Sequence, residues 1–280
     1  MAAVLALLAS LTWGAADFLG GSATRRLPPT AVVAVSQGFA LVGVGAVALA
    51  LQSWTTGGLG YLGWSVAAAG FGVVALTAFY TALATGRMGV VAPVAALGVV
   101  VPVAVGLAQG DRPTVWQGIG VVVAIVGVVL ASGPELRAGG TGRRPLLLAV
   151  VAAVGFGTVI VCVSRGARTN TVMTLVTMRA ASVFALLLLA VVVGVRVGAP
   201  RRELPVLAAI GGGDVGANAL FAYASTRGLL SIVAVLSSLY PAVTVLLARA
   251  VHGERMLRVQ EIGVVAAMAG VVLVASGGSV

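Results

Sequence analysis

Three ionisable side chains lie inside long apolar stretches of this sequence. Asp17 follows TWGAA, Asp214 lies within AAIGGGDVGANAL, and Arg179 follows VMTLVTM. A charge in apolar surroundings is costly unless it is paired, and charged groups that persist there often have a function. An aspartate can bind an amine or take up a proton, and an arginine can bind an anion. These three residues are therefore the first candidates for a functional site.

The composition places these residues in a membrane. The chain has 280 residues, of which 60% are hydrophobic and 9% are charged, whereas about 25% of the residues in a soluble domain are charged. Continuous apolar runs long enough to cross the hydrocarbon core predict helices rather than the alternating strands of a barrel. We predict ten membrane-spanning helices, at residues 3–22, 30–51, 61–83, 89–108, 114–132, 146–164, 172–194, 205–225, 229–248 and 259–276.

One segment occurs twice. Residues 110–130 (GDRPTVWQGIGVVVAIVGVVL) match residues 253–273 (GERMLRVQEIGVVAAMAGVVL) at an offset of 143. Each copy holds five predicted spans, and this odd number reverses the second copy across the membrane. The predicted fold is an all-α membrane protein of two inverted five-helix repeats, at 1–133 and 146–280, with a connecting loop at 134–145. Inverted repeats are typical of secondary transporters, which bind substrate between the repeats.

Neither of the two aspartates has an acidic counterpart in the other copy of the repeat. At the same offset Asp17 falls on Ile160 and Asp214 falls on Phe71. Because neither acid occurs in both copies, we predict that both line a central cavity and bind a cationic group or a coupling proton. Trp13 lies one helical turn before Asp17 and belongs to the same predicted site.

Each candidate also has a structural interpretation. Asp17 could cap helix 1 near the membrane interface or pair with Arg25 or Arg26. Asp214 could be satisfied by Asn218, one turn later on the same helix, or by the backbone. The arginine of the seventh span could extend to the interface or form a structural ion pair, instead of contacting a substrate or a proton path.

Prolines interrupt two equivalent spans. Pro93 and Pro102 lie in the fourth span and Pro241 lies in the ninth. Proline removes a backbone hydrogen bond, and interrupted helices at corresponding places of two halves point to a binding site; a packing kink is the alternative. Further polar side chains could contact a substrate or hydrogen-bond to a neighbouring helix: Gln37, Tyr80, Tyr223, Ser237 and Tyr240.

Two charged turns lie at predicted membrane edges, Asp111-Arg112 and Glu254-Arg255. We interpret them as local ion pairs or helix N-terminal acids, with gating as the alternative. The net charge of +10 comes from arginines spread between apolar runs, which does not predict a nucleic-acid interface. These arginines lie mainly in the loops after odd-numbered spans, so the positive-inside rule predicts that both termini lie outside.

Other motifs are missing from the sequence. It has one histidine, one cysteine, no HExxH and no GxxxxGK[ST], so we predict no enzyme, no metal site, no cofactor and no ATP-driven transport. The remaining expectation is a protein that binds a small molecule within a lipid bilayer. A non-transporting membrane scaffold is the alternative.

The repeated segment resembles the EamA domain of the drug/metabolite transporter superfamily. The resemblance rests on TWGAADF at 12–18, the proline-bearing fourth helix, and the Gly-Glu/Asp-Arg turns with their closing helices, and it covers nearly the whole chain. It implies a bacterial cytoplasmic-membrane transporter of small metabolites, as a monomer or homodimer. Helices 1, 3, 4, 6, 8 and 9 would line the cavity, with helices 5 and 10 peripheral.

The resemblance also bears on orientation and on one arginine. Members often carry an arginine in the second helix of the domain. Arg179 fills that place in the second copy, whereas Ser36 and Gln37 stand there in the first. The resemblance further implies cytoplasmic termini, opposite to the arginine distribution, so the sequence leaves the orientation open.

Overall fold

The computed structural model describes residues 1–55, 58–86, 88–132, 143–194, 197–252 and 258–276. These residues form helices and short turns, with no strand among them, so the predicted all-helical class is confirmed for this part of the chain. The α-helices are α1 (Ala2–Ala23), α2 (Pro29–Leu51), α3 (Leu62–Thr85), α4 (Met88–Ala96), α5 (Val100–Ala108), α6 (Val115–Ser132), α7 (Arg143–Val193), α8 (Leu204–Ser225), α9 (Leu230–Ser237), α10 (Tyr240–His252) and α11 (Arg258–Ser276).

The surface of the helix bundle is apolar and parts of its interior are polar. Val42 is 71% exposed and Val191 is 84% exposed, whereas Gln37 is 2% exposed and Arg179 is 3% exposed. A large exposed apolar surface of this kind needs lipid around it. Five helical stretches are long and apolar enough to cross a membrane: Ala2–Ala23, Pro29–Leu51, Leu59–Thr85, Arg143–Val193 and Arg201–Ser225.

α7 joins the sixth and seventh predicted spans, where the sequence predicted a loop. A straight helix of its 51 residues would be about 75 Å long, at roughly 1.5 Å per residue. The backbone leaves the helical region only at Asn170 (φ −158°, ψ 108°), whose Oδ1 accepts a hydrogen bond from the Met173 N–H at 3.0 Å. This is an N-cap, and it starts a second arm that folds back on the first.

The reversal at Asn170 requires a glycine. A Cβ atom placed on Gly166 would lie 2.7 Å from Cγ2 of Thr174, although residues eight positions apart in a straight helix are separated by about 12 Å. The two arms of α7, at 143–169 and 171–193, therefore contact each other directly beside the turn.

The fourth and ninth predicted spans are both interrupted. The 3₁₀ turn Leu97–Val99 separates α4 from α5, and two residues separate α9 from α10. Pro102 and Pro241 lie in the first turn of α5 and α10, where proline's missing N–H has no helical partner to lose. These prolines therefore follow the breaks rather than bend the middle of a helix, while Pro93 lies within α4.

A glycine on the first helix of each repeat packs against the interrupted helix of the other. A Cβ atom on Gly14 would lie 2.5 Å from Cβ of Val243 and 2.6 Å from the carbonyl oxygen of Tyr240. A Cβ atom on Gly157 would meet the carbonyl of Gly98. The preceding residues, Trp13 and Phe156, are thereby held beside the two breaks.

Long helix pairs complete the bundle. α1 packs along α8, α3 packs along α7, and α6 packs against α11. The core contains aromatic side chains such as Phe79 and Phe221, which are fully buried. These pairs connect segments distant in the chain, and the helices of the first two pairs contribute residues to the cavity described next.

Candidate functional site

A cavity lies among α1, α2, α3, α7, α8 and α10. It contains about 720 Å³ of space between atoms, including the solvent at its opening. Its polar lining residues are Trp13, Asp17, Gln37, Arg179, Ser182, Asp214, Asn218 and Tyr240. Its apolar lining residues are Ala68, Gly72, Val73, Leu76, Phe156, Val159, Ile160 and Met178. The cavity therefore offers an apolar wall and a small polar cluster, which is the usual make-up of a small-molecule site.

Asp214 is the centre of the polar cluster. Its Oδ1 accepts hydrogen bonds from Nδ2 of Asn218 at 2.9 Å and from Nε1 of Trp13 at 3.2 Å. Its Oδ2 accepts a hydrogen bond from Nε2 of Gln37 at 3.2 Å and lies 3.0 Å from Nη1 of Arg179. Donors from α1, α2, α7 and α8 thus surround one carboxylate, and they hold it in place.

Arg179 uses one side of its guanidinium in this cluster. Its Nη1 contacts Asp214 and also donates a hydrogen bond to Oε1 of Gln37 at 2.6 Å. Its Nε and Nη2 are buried and have no hydrogen-bond partner among the described residues. A buried donor without a partner lowers the free energy of unfolding by about 1–3 kcal/mol. The Nε and Nη2 edge of this guanidinium therefore destabilises the fold, and no described hydrogen bond offsets that loss.

Asp17 faces the same cavity with different surroundings. Within the described part of the chain, no hydrogen bond or ion pair involves its carboxylate. Asp214 and Tyr240 line the same cavity. Arg179 pairs with Asp214, so Asp17 is the acid of the cavity that has no counter-ion among the described residues.

The predicted tyrosines and serine lie in different places. Tyr240 lines the cavity, and its hydroxyl has no partner among the described residues. Tyr80 is buried against Gly20, outside the lining. Tyr223 is 43% exposed and lies under the Arg227 guanidinium, which is 4.0 Å from its ring centre. Ser237 is fully buried in α9, away from the lining.

The first charged turn contacts the second half of the chain. Oδ2 of Asp111 accepts hydrogen bonds from the Ser231 N–H at 3.0 Å and from the Ser231 hydroxyl at 2.9 Å, at the start of α9. Arg112 is exposed. Glu254 and Arg255, the second turn, lie outside the described residues.

A buried glutamate was not among the sequence candidates. Glu203 is 5% exposed, and its Oε1 lies 3.6 Å from both Nη1 of Arg26 and Nε of Arg202. Arg26 is therefore an ion-pair partner of Glu203, not of Asp17. The sequence signal for Glu203 was weak, because it lies beside two arginines in a loop, where an acid ordinarily remains solvated.

A family model identifies this architecture. The model of the EamA-like transporter family matches residues 1–133 and 143–276. The chain belongs to the EamA-like transporter family. A solved structure, described as the crystal structure of a protein, aligns with this EamA-like chain at a TM-score of 0.78 and 23% identity, over 98% of this chain and 96% of that one. That similarity shows a shared fold. No curated protein matches the sequence.

Family membership makes this EamA-like protein an integral, multi-pass membrane protein of a transporter family rather than an enzyme family. The cavity walls nevertheless differ from those that the resemblance implied. Gln37 of α2 and Arg179 of α7 line the cavity, whereas none of its lining residues lies in the described part of α4 or α5. α2 and the second arm of α7 line the cavity because Gln37 and Arg179 both contact the Asp214 carboxylate.

The internal repeat of this EamA-like chain explains two lining residues that sequence reasoning did not select. Phe156 and Ile160 occupy the positions equivalent to Trp13 and Asp17, and all four line the cavity. The repeat alignment could have found them. Metal binding has no support in the described residues, which contain no group of three or more His, Cys, Asp or Glu side chains able to hold an ion.

Proposed function

We propose that this protein is a secondary active transporter that exports small organic metabolites or drugs across the bacterial cytoplasmic membrane. The observation that carries the proposal is the buried cluster of Asp17, Asp214 and Arg179 around one cavity. Ionisable residues within membrane-spanning helices are expensive, and they mark substrate and ion pathways. A scaffold without transport would have no use for an unpaired carboxylate in such a cavity.

We further propose ten spans in two inverted five-helix repeats, at 1–133 and 146–280, with the segment 134–145 between them. Counting α7 as two arms, and each interrupted pair as one span, gives ten spans from the described helices. The equivalent contacts of Gly14 and Gly157 with the breaks of the opposite repeats support this symmetry. Alternating access would then move one repeat against the other around the cavity.

The energy for transport would come from a proton gradient or from exchange, because the sequence has no nucleotide-binding loop. Asp17 is the residue that we propose for substrate or proton binding, since Asp214 already holds Arg179. The direction of transport rests on the family resemblance. A monomer contains the whole cavity, and a homodimer is equally compatible with it.

The test is efflux from proteoliposomes. Vesicles containing the wild-type chain, the Asp17→Asn variant or no protein are loaded with a bacterial metabolite extract, and mass spectrometry follows what leaves, with and without an imposed pH gradient. We expect a few compounds to leave wild-type vesicles at least about tenfold faster than Asp17→Asn vesicles, as for the loss of one charge-assisted contact. Gly43→Ala, at a position with open space around it, is the control with unchanged flux.

The alternative function predicts a different result. If folded wild-type protein releases nothing faster than empty vesicles do, under either gradient, the proposal of transport is wrong and the scaffold function is favoured. If flux occurs but does not depend on Asp17, transport stands and the site assignment is wrong.

A further inference from the structure

Two pairs of arginines adjoin one buried glutamate outside the cavity. Arg25 and Arg26 lie in the turn between α1 and α2, and Arg201 and Arg202 lie in the 3₁₀ turn that leads into α8. The Glu203 carboxylate connects the two turns, because its Oε1 lies 3.6 Å from Nη1 of Arg26 and 3.6 Å from Nε of Arg202. These five residues form the arginine cluster.

The glutamate of the arginine cluster is buried, whereas its arginines are exposed. The side chain of Glu203 is 6% exposed, and those of Arg26 and Arg202 are 59% and 82% exposed. At 3.6 Å, neither contact with Glu203 is short enough to be a hydrogen bond. Within the described part of the chain, no side-chain hydrogen bond occupies any of the four guanidinium groups. Four arginines and one glutamate therefore leave three positive charges, with donors open to an external acceptor.

The repeated fold forms the same junction a second time without an ion pair. At the offset of 143, Arg26 falls on Thr169 and Glu203 falls on Gly60. These two equivalents also meet, since a Cβ atom on Gly60 would lie 3.3 Å from Oγ1 of Thr169. Packing of the two repeats therefore accounts for the junction but not for its charge.

The other arginines of the cluster are also mostly without counterparts. Arg201 and Arg202 fall on Gly58 and Leu59 in the equivalent turn. Arg25 is the member of the cluster that has an arginine, Arg168, at the equivalent position. The positive charge is thus concentrated at one of the two equivalent junctions, which an inverted repeat places on opposite membrane faces. Such a one-sided charge indicates a partner present at that face.

We propose that the arginine cluster binds the phosphate headgroup of an anionic phospholipid. A guanidinium group donates two parallel hydrogen bonds to phosphate oxygens, and basic residues at a membrane edge attract anionic headgroups. The cluster lies at such an edge, because the apolar stretches Ala2–Ala23, Pro29–Leu51 and Arg201–Ser225 end or begin beside it. Exposed apolar side chains for the acyl chains end α7 at the same face, among them Val192 and Val193.

This lipid site is separate from the transport site. None of the five residues of the cluster lines the cavity. A headgroup held there contacts Arg26 of the first half and Arg202 of the second, so it stabilises the docking of the halves. A soluble phosphate ester offers the same charge, but it lacks the acyl chains that bury apolar surface. The lipid is therefore the tighter ligand.

The test is a lipid titration of the purified full chain in detergent, followed by native mass spectrometry. The probes are phosphatidylglycerol and phosphatidylcholine with identical acyl chains, and the water-soluble headgroup glycerophosphoglycerol. We expect phosphatidylglycerol to bind at least about tenfold more tightly than phosphatidylcholine, as for two or more arginines at a membrane surface. Its affinity should fall as the concentration of ammonium acetate rises, because salt screens exposed charges.

Matched double variants locate the binding site. Arg25→Gln with Arg201→Gln leaves both ion-pair partners of Glu203 in place, so the fold is preserved. It should weaken phosphatidylglycerol binding at least about tenfold and leave phosphatidylcholine binding unchanged. Arg112→Gln with Arg168→Gln is the control, because it removes the same charge from two exposed residues at the opposite face of the proposed spans. It should leave both affinities unchanged.

Four results would overturn the proposal. Phosphatidylcholine could bind as tightly as phosphatidylglycerol, or the variant of Arg25 and Arg201 could bind phosphatidylglycerol as wild type does. The control variant could weaken binding as much as the cluster variant, which would indicate attraction to net charge alone. Glycerophosphoglycerol could bind as tightly as the lipid, which would make the cluster a site for soluble phosphate esters. None of these results depends on efflux, so the proteoliposome experiment tests the transport function separately.

Discussion

Asp17 and Asp214 are both aspartates in apolar helices, but their surroundings differ. Asp214 binds Arg179 and accepts hydrogen bonds from Trp13, Gln37 and Asn218. Its negative charge therefore stabilises the junction of four helices. Asp17 has no described partner and faces the cavity. One acid holds the helices together, and the other is available to a ligand.

Replacing Asp17 should affect function more than stability. Asp17→Asn replaces a carboxyl group of the cavity lining without breaking a described hydrogen bond or ion pair, so we expect the free energy of unfolding to stay within about 1 kcal/mol of wild type, or to rise. Transport should fall at least about tenfold. Thermal unfolding in detergent and proteoliposome flux measure the two effects. A large loss of stability would mean that Asp17 has a structural partner.

Replacing Asp214 should affect stability first. Asp214→Asn leaves the Arg179 charge buried without its counter-ion, which destabilises by about 3–5 kcal/mol in buried pairs. Thermal and denaturant unfolding in detergent measure the loss. The double variant Asp214→Asn with Arg179→Met should regain part of the stability, because the stranded charge is gone, yet it should remain inactive. Additive losses in the double variant would contradict the pairing.

At the scale of elements, the interrupted helices and the glycines beside them form one arrangement. Gly14 lies against Tyr240 and Val243 after the break in the ninth span, and Gly157 lies against Gly98 in the break of the fourth. The Thr244 hydroxyl also donates to the carbonyl of Gly14 at 3.0 Å. The first helix of each repeat therefore packs against the interrupted helix of the other repeat, beside the cavity.

A side chain at Gly14 should separate these helices. In Gly14→Ala, the added Cβ would lie 2.5 Å from Cβ of Val243, and overpacking of this kind destabilises by about 1–3 kcal/mol. The control is Gly43→Ala in α2, where nothing lies within 4 Å; alanine there should stabilise by about 0.5 kcal/mol through its higher helix propensity. Thermal unfolding midpoints distinguish the two, and equal midpoints would contradict the close packing.

At the scale of the whole molecule, polar contacts outside the cavity also join the halves of the chain. Arg26 pairs with Glu203 at 3.6 Å. Asp111 accepts two hydrogen bonds from Ser231 at the start of α9. Each contact links a loop of the first half to the start of a helix in the second, so both contribute to the docking of the halves.

Removing the Asp111 contact should loosen this docking by a modest amount. Asp111→Ala leaves the first turn of α9 without its acceptor, and loss of a helix cap lowers the free energy of unfolding by about 1 kcal/mol. Ser231→Ala should lower it less, because the backbone N–H still donates to Asp111. The double variant should be no less stable than Asp111→Ala alone, measured by thermal unfolding. Additive effects would show that the two residues act separately.

Much of the fold follows from local properties of the sequence. Apolar runs mark helices because each residue contributes its own hydropathy, and the matched segments at 110–130 and 253–273 reveal the repeat. Local patterns predicted the loops between helices and the breaks within them less well. The predicted loop between the sixth and seventh spans is largely helical, since Asn170 alone turns the chain. The breaks precede Pro102 and Pro241, because proline suits a first helical turn better than the break itself.

Apolar runs in the sequence are enough to predict a helical membrane protein with three ionisable residues inside its spans. Which aspartate is paired depends on how the helices pack. Trp13 and Gln37 reach Asp214 from 201 and 177 residues away, and Ser231 reaches Asp111 from 120. Hydropathy and helix propensity act between neighbours in the chain, whereas an ion pair forms only where packing brings distant helices within hydrogen-bonding distance.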